Sequence, residues 1–60
     1  MKKTDKKVEV RNGTQTFTRC VYVNEFGTEH FKYEGKFHHI FWSDYFKRYT
    51  APYFGEVKYI

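Results

Sequence analysis

Residues 37–52 read Phe-His-His-Ile-Phe-Trp-Ser-Asp-Tyr-Phe-Lys-Arg-Tyr-Thr-Ala-Pro, and the period assigned to this stretch decides the fold. Polar pairs stand at His38/His39, Ser43/Asp44 and Lys47/Arg48, with apolar residues between them at Ile40 to Trp42, at Tyr45/Phe46 and at Tyr49. Strict alternation fails, whereas apolar residues three to four apart predict an amphipathic helix over about His38–Thr50. Pro52 stops it, because Ala51 before a proline is biased away from helix. Phe37, Phe41, Tyr45 and Tyr49 then form one i, i+4 stripe, which the spacing places against a sheet, with Trp42 and Phe46 flanking it. A rival reading starts the helix at Ser43 as N-cap and makes Phe37–Trp42 a fourth strand.

Upstream of this stretch the period is two. Val8-Glu9-Val10-Arg11 alternates and runs into Asn12-Gly13, a strong hairpin signal, after which Gln15–Val23 resumes the alternation. With a two-residue Asn12-Gly13 turn, Val10 faces Gln15 and Val8 faces Phe17. Val8, Val10, Phe17, Val21 and Val23 then share a face, with Arg19 the exception. Asn24-Glu25-Phe26-Gly27 reads as a type I turn closed by a glycine bulge. It returns the chain as a third strand over Thr28–Tyr33, with Phe31 and Tyr33 on one face, His30 and Lys32 on the other, and Tyr22 facing His30. The fold class expected is α+β: a three-stranded antiparallel meander, one amphipathic helix packed on one face, and a short C-terminal strand or turn over Val57–Ile60.

Sixty residues allow one domain near the lower size limit for independent folding. Cys20 is the only cysteine, which excludes an intrachain disulfide and suits a reducing cytoplasm. No apolar run is long enough to span a bilayer, so no membrane partner is expected, and no hydrophobic signal segment follows Lys2–Lys7. The expectation is a complete, soluble, cytoplasmic small gene product. The net charge of +4 concentrates at the N-terminus, where Lys2, Lys3, Lys6 and Lys7 stand against Asp5. Residues 1–7 are therefore expected as a flexible basic arm and residues 8–60 as a single, nearly neutral α+β domain.

Gly27, Phe31-Lys32-Tyr33, Gly35-Lys36-Phe37, Tyr45-Phe46, Tyr53-Phe54-Gly55 and Val57-Lys58-Tyr59 follow one another at family-like spacing. Over residues 21–59 the chain resembles the KTSC domain, a small module named for its occurrence at the C-terminus of some lysyl-tRNA synthetases. It departs from that family in having no proline after Phe37, and in having Tyr49-Thr50-Ala51-Pro52 in place of an Ala-x-Ser-x-Gly step. The resemblance implies a β-meander plus helix and an attachment to nucleic-acid machinery. It implies no catalytic residues.

Cys20, His30 and His38 or His39 are the candidate zinc ligands. A structural site needs about four ligands, and neither C-x-x-C nor H-x-x-x-H spacing is present, so no metal or cofactor is expected. His38 and His39 are adjacent and point in different directions, so they do not converge on one substrate atom. No glycine-rich phosphate loop, nucleophile elbow or carboxylate pair accompanies them, and no enzymatic activity is expected.

The aromatic set carries the functional expectation. The chain holds seven Phe, six Tyr and one Trp and no leucine. A domain this short buries only about 60% of its unfolded surface, and each ring removes about 150–250 Å² from water when buried. Surplus rings should reach the surface, and Trp42, Phe46, Tyr53 and Phe54 are the partner-binding candidates, with Lys47 and Arg48 as a polar rim. The expected function is a non-enzymatic protein-binding module, an inhibitor or adaptor of a larger protein of the kind common among phage and mobile-element products. In the absence of a partner it should cover its rings as a homodimer. The alternative is nucleic-acid binding through Lys2, Lys3, Lys6 and Lys7 together with Arg11, Arg19, Lys32, Lys47 and Arg48, with Tyr22, Tyr33 and Trp42 as stacking rings.

Overall fold

Between Phe37 and Thr50, where the spacing predicts a helix, the chain instead completes one hairpin and forms the whole of another. A computed structural model describes residues 1–60. It contains β1 (Lys2–Asn12), β2 (Gln15–Val23), β3 (Glu29–Tyr33), β4 (Lys36–His39), β5 (Phe41–Ser43), β6 (Arg48–Thr50) and β7 (Val57–Tyr59), and no helix. Antiparallel pairing makes a five-stranded sheet in the order β4-β3-β2-β1-β7 and a separate two-stranded sheet, β5-β6. The fold is therefore all-β, and the α+β expectation with its packed helix is corrected.

The reason lies in residue type. His38–Thr50 contains only two strong helix formers, Lys47 and Arg48. Its Ile, Thr and aromatic residues favour a pleated surface. A spacing of three to four also arises when aromatics occupy both arms and the tip of a short hairpin. Here Phe41 faces Thr50, Trp42 faces Tyr49 and Ser43 faces Arg48. The Ser43 hydroxyl accepts from Phe46 N (3.2 Å) and its carbonyl accepts from Lys47 N (2.8 Å), while Lys47 turns at φ 57°. Ser43 thus acts as an N-cap does, but for one turn only. The rival strand reading is met in part: the chain is extended on both sides of Ile40, whose N–H donates to Glu29 O (2.9 Å) in continuation of the β3-β4 register.

The three hairpins of the large sheet follow their turn residues. The Asn24–Gly27 turn forms as expected: Gly27 N donates to Asn24 O (3.1 Å) and Asn24 Oδ1 accepts from Phe26 N and Thr28 N, so that Tyr22 faces His30. Glu34 and Gly35 both take positive φ, 51° and 78°, the type I′ turn that matches the twist of β3 and β4. The first turn differs from expectation. Asn12 faces Gln15, so Gly13 and Thr14 are the central pair, and Gly13 alone has positive φ (65°), the type II′ pattern. Val10 now faces Phe17 rather than Gln15. A two-residue shift keeps the parity, so the apolar set stays on one face.

The expected arm over residues 1–7 lies within β1. Lys2 faces Val23, Lys3 faces Tyr22 and Lys7 faces Cys20, with an irregularity between Lys3 and Lys7. There Thr4 Oγ1 donates to Val21 O (2.8 Å) and accepts from Lys6 N (3.1 Å), which satisfies backbone groups that the bulge takes out of the ladder.

One face of the large sheet supplies Val8, Val10, Val21, Phe31 and Val57 to the core, and Ile40 and Ala51, flanking β5-β6, close over it. Phe17, Tyr33, Phe54 and Tyr59 pack around this set. Phe54 is the hub, meeting Phe31 (5.1 Å), Tyr33 (5.4 Å), His38 (4.9 Å) and Phe17 (6.3 Å) edge-on. The sheet curls enough for Tyr59 OH on β7 to donate to Glu29 on β3, with two strands between them, and Lys6 Nζ donates to the same carboxylate (2.9 Å).

Candidate binding surfaces

The β5-β6 hairpin concentrates exposed rings. Trp42 is 49% exposed, Tyr45 86%, Phe46 56% and Tyr49 41%. Their positions are set by one another rather than by the core. Trp42 meets Tyr49 edge-on (5.1 Å), Tyr49 meets Tyr59 (5.1 Å), and Tyr45 stands perpendicular to Phe46 (4.8 Å). Trp42 Nε1 donates to Asp44 Oδ1 (3.0 Å), and the Arg48 guanidinium lies 4.9 Å from the Phe46 ring centre. Neither Lys47 nor Arg48 has a carboxylate within 4.0 Å, and Arg48 Nε is buried without a hydrogen-bond partner.

Of the six residues expected to bind a partner, the hairpin gathers Trp42, Phe46, Lys47 and Arg48. Tyr53 is 98% exposed, but it lies beside Asn12, Glu34 and Lys36 around a shallow depression at the other end of the chain's long loop. Phe54 is partly buried: it borders the same depression but packs at the centre of the aromatic cluster over Phe31. The stripe expected to pack on the sheet is dispersed and exposed: Phe37 on β4, Phe41 beside His39 (5.6 Å), Tyr45 at the hairpin tip and Tyr49 on β6.

The second surface is the side of the large sheet that faces away from the core. Because side chains alternate, its cross-strand rows can be read from the pairing. One row runs Lys3, Tyr22, His30, His39 across β1 to β4. Another runs Lys58, Glu9, Thr18 across β7, β1 and β2. Lys7 faces Cys20, Arg11 faces Thr16, and Lys32 faces Phe37. Tyr22 and Phe37 meet edge-on (5.2 Å), and Lys32 Nζ lies 5.6 Å from the Phe37 ring centre. A shallow depression lined by Thr18, Cys20, Tyr22 and Lys32 opens between them.

The basic residues expected to touch nucleic acid divide between the two sides. Lys3, Lys7, Arg11 and Lys32 stand on this outer face. Lys2 faces Val23 on the core side, Lys6 is tied to Glu29, and Arg19 lies over Phe17 (4.5 Å) and Tyr33 (5.6 Å) at the core rim. Lys58 was missing from the expected set. The alternation of Val57, Lys58 and Tyr59 marks it as outward-facing, but only the pairing of β7 with β1 brings it to this face.

The perturbed titrations lie on neither surface. The hydrogen bond from Tyr59, joined by that from Lys6, holds the Glu29 carboxyl below its ordinary value of 4.5. Burial, then the bond to Glu29, pushes the Tyr59 phenol above its ordinary 10.0. This trio closes the curled sheet and offers no acid-base pair to a cleft. Cys20 and His30 share the outer face with His39 while His38 turns to Phe54, and no three His, Cys, Asp or Glu side chains gather where they could hold a metal. No helix is long and apolar enough to cross a membrane. Compared with protein-family models, curated proteins and solved structures, the chain matches none.

Proposed function

We propose that this chain is a non-enzymatic protein-binding module, an inhibitor or adaptor that docks on a larger protein through the β5-β6 hairpin. One observation carries the reading: four aromatic side chains on a single hairpin are exposed yet already ordered by ring-to-ring contacts. Rings fixed before binding lose little side-chain entropy on association, and Trp, Tyr and Arg are the residues that dominate interface energies. The unpaired Lys47 and Arg48 beside Phe46 favour a partner that surrounds an apolar pocket with carboxylates. The test compares affinity capture by the wild type and by a Tyr45→Ser/Phe46→Ser variant. Both side chains are exposed, so the variant should melt within about 2 °C of wild type. A protein recovered in one-to-one ratio by the wild type and lost by the folded variant supports the reading, and equal capture by both overturns it.

A further inference from the structure

Most of the net charge of this protein sits on one side of one sheet. The chain has eleven Lys and Arg and seven Asp and Glu. Five of the cations, Lys3, Lys7, Arg11, Lys32 and Lys58, stand at paired positions on the outer face of the large sheet, with Glu9 the one carboxylate among them. These paired positions sum to +4, and to +3 with Asp5 in the irregular stretch between Lys3 and Lys7, so the outer face carries most of the net charge. The only ion pair within 4.0 Å joins Lys6 to Glu29, away from this face, so all five cations are unpaired. Like charges gathered on a sheet face repel one another and weaken it. Apart from Lys32 over the Phe37 ring, these cations meet no internal partner, and an arrangement that costs stability in this way points outward, to an anionic ligand.

The same face holds rings. Tyr22, opposite Lys3, meets Phe37, opposite Lys32, and His30 and His39 continue the row of Tyr22. Phosphates and flat apolar groups in one ligand are the chemistry of a polynucleotide with its bases unpaired, since a base inside a duplex has no free face to stack. Shape agrees. Five strands about 4.8 Å apart make a platform about 19 Å wide, too broad for a major groove of about 12 Å but wide enough for a few nucleotides laid across it. We propose that the outer face of the five-stranded sheet is a binding site for single-stranded nucleic acid, with Lys3, Lys7, Arg11, Lys32 and Lys58 on the phosphates and Tyr22 and Phe37 stacking on bases. The site is separate from the β5-β6 hairpin, so the two can act together or be lost independently.

Fluorescence anisotropy with a labelled twelve-nucleotide oligo-dT, an oligo-U of equal length and a duplex of the same size tests this with the full chain. Both single strands should bind more tightly than the duplex. Between 50 and 200 mM salt, affinity should fall roughly 20-fold if three phosphates are neutralised and roughly 130-fold if five are. Lys32→Gln/Lys58→Gln should weaken binding and flatten the salt slope. Phe37→Ala should weaken it roughly 5- to 100-fold and leave the slope unchanged. All three side chains are exposed, so thermal melts should confirm that these variants fold. The Tyr45→Ser/Phe46→Ser variant should bind oligonucleotide like the wild type, which keeps this result apart from the hairpin's. Absence of binding at 20 mM salt overturns the proposal, as does a duplex bound more tightly than either single strand, or a Lys47→Gln variant that loses as much affinity as Lys32→Gln/Lys58→Gln.

Discussion

The five-stranded sheet and the β5-β6 hairpin are both dense in aromatic residues, yet their rings end in opposite conditions. Phe31 and its neighbours Phe17, Tyr33 and Phe54 lie in or against the core, whereas Trp42, Tyr45, Phe46 and Tyr49 are exposed. What separates them is the presence of a second layer. The inner face of the large sheet is covered by Ile40, Ala51 and Phe54, which arrive from the long excursion between β4 and β7. The hairpin has nothing above it. Ring content therefore does not predict burial here, and only seven residues are buried. A core this thin, with no disulfide, leaves little stability in reserve.

The sharpest break of this comparison is a matched pair of truncations. Phe31→Ala should cost about 3–5 kcal/mol, enough to unfold a marginal domain of this size, because the ring is wholly buried. Phe54→Ala should cost less, about 2–3 kcal/mol, since the side chain is only partly buried though it bridges four rings. Urea denaturation measures both. A Phe54→Ala variant with wild-type stability would return Phe54 to the surface and undo its place as hub.

An intermediate effect belongs to the closure of the sheet. Tyr59→Phe removes a hydrogen bond to an ionised carboxylate at a half-exposed site and should cost about 1 kcal/mol, a fall of roughly 4–8 °C in Tm. Its pH dependence has a definite sign. A carboxyl held below its unfolded value stabilises the fold above that value and loses the contribution as pH falls, so Glu29 should make Tm decline below about pH 4.5. A phenol raised above its unfolded value stabilises below that value and loses the contribution as pH rises, so Tyr59 should make Tm decline above pH 10.0. In Tyr59→Phe the alkaline decline should shrink and the acid decline should soften, both readable in melts across pH 3–11.

The smallest effect on stability, and the largest on assembly, is expected at the hairpin. Phe46→Lys should change unfolding free energy by less than about 0.5 kcal/mol, because the ring is more exposed than buried. If the exposed rings pair two copies when no other partner is present, the same change should convert a dimer to a monomer in light scattering. A wild type that stays monomeric at millimolar concentration removes self-association from the picture and leaves the hairpin for a different protein.

Local chemistry was legible in advance. The alternation of Val8 to Val10 and of Gln15 to Val23, the Asn24–Gly27 turn and the Tyr22–His30 pairing depend on residues close in the chain, and turn geometry carries them. Even there the register of the first hairpin slipped by two residues, because Asn12-Gly13 and Gly13-Thr14 are both acceptable turn centres and differ by little energy. The spacing from His38 to Thr50 fits a helical face and a hairpin equally well, and its poor helix propensity is the signal that separates them.

The candidate surfaces divide along the same line. The amino-acid sequence alone determined that the chain carries more aromatic surface than a small core can hold and a net charge of +4. It also placed Trp42, Phe46, Lys47 and Arg48 close together, since they are neighbours along the chain. Only the tertiary structure decided that Phe54 packs against the core and that Lys2 and Lys3 point to opposite sides of a strand. Only it brought Lys58 beside Glu9 and Lys32 beside Phe37, so that most of the excess charge collects on one face. The physical reason is that strand pairing joins residues nearly a whole chain apart, as Glu9 and Lys58 are. A charge census along the chain counts them correctly and cannot say which side of the sheet they share.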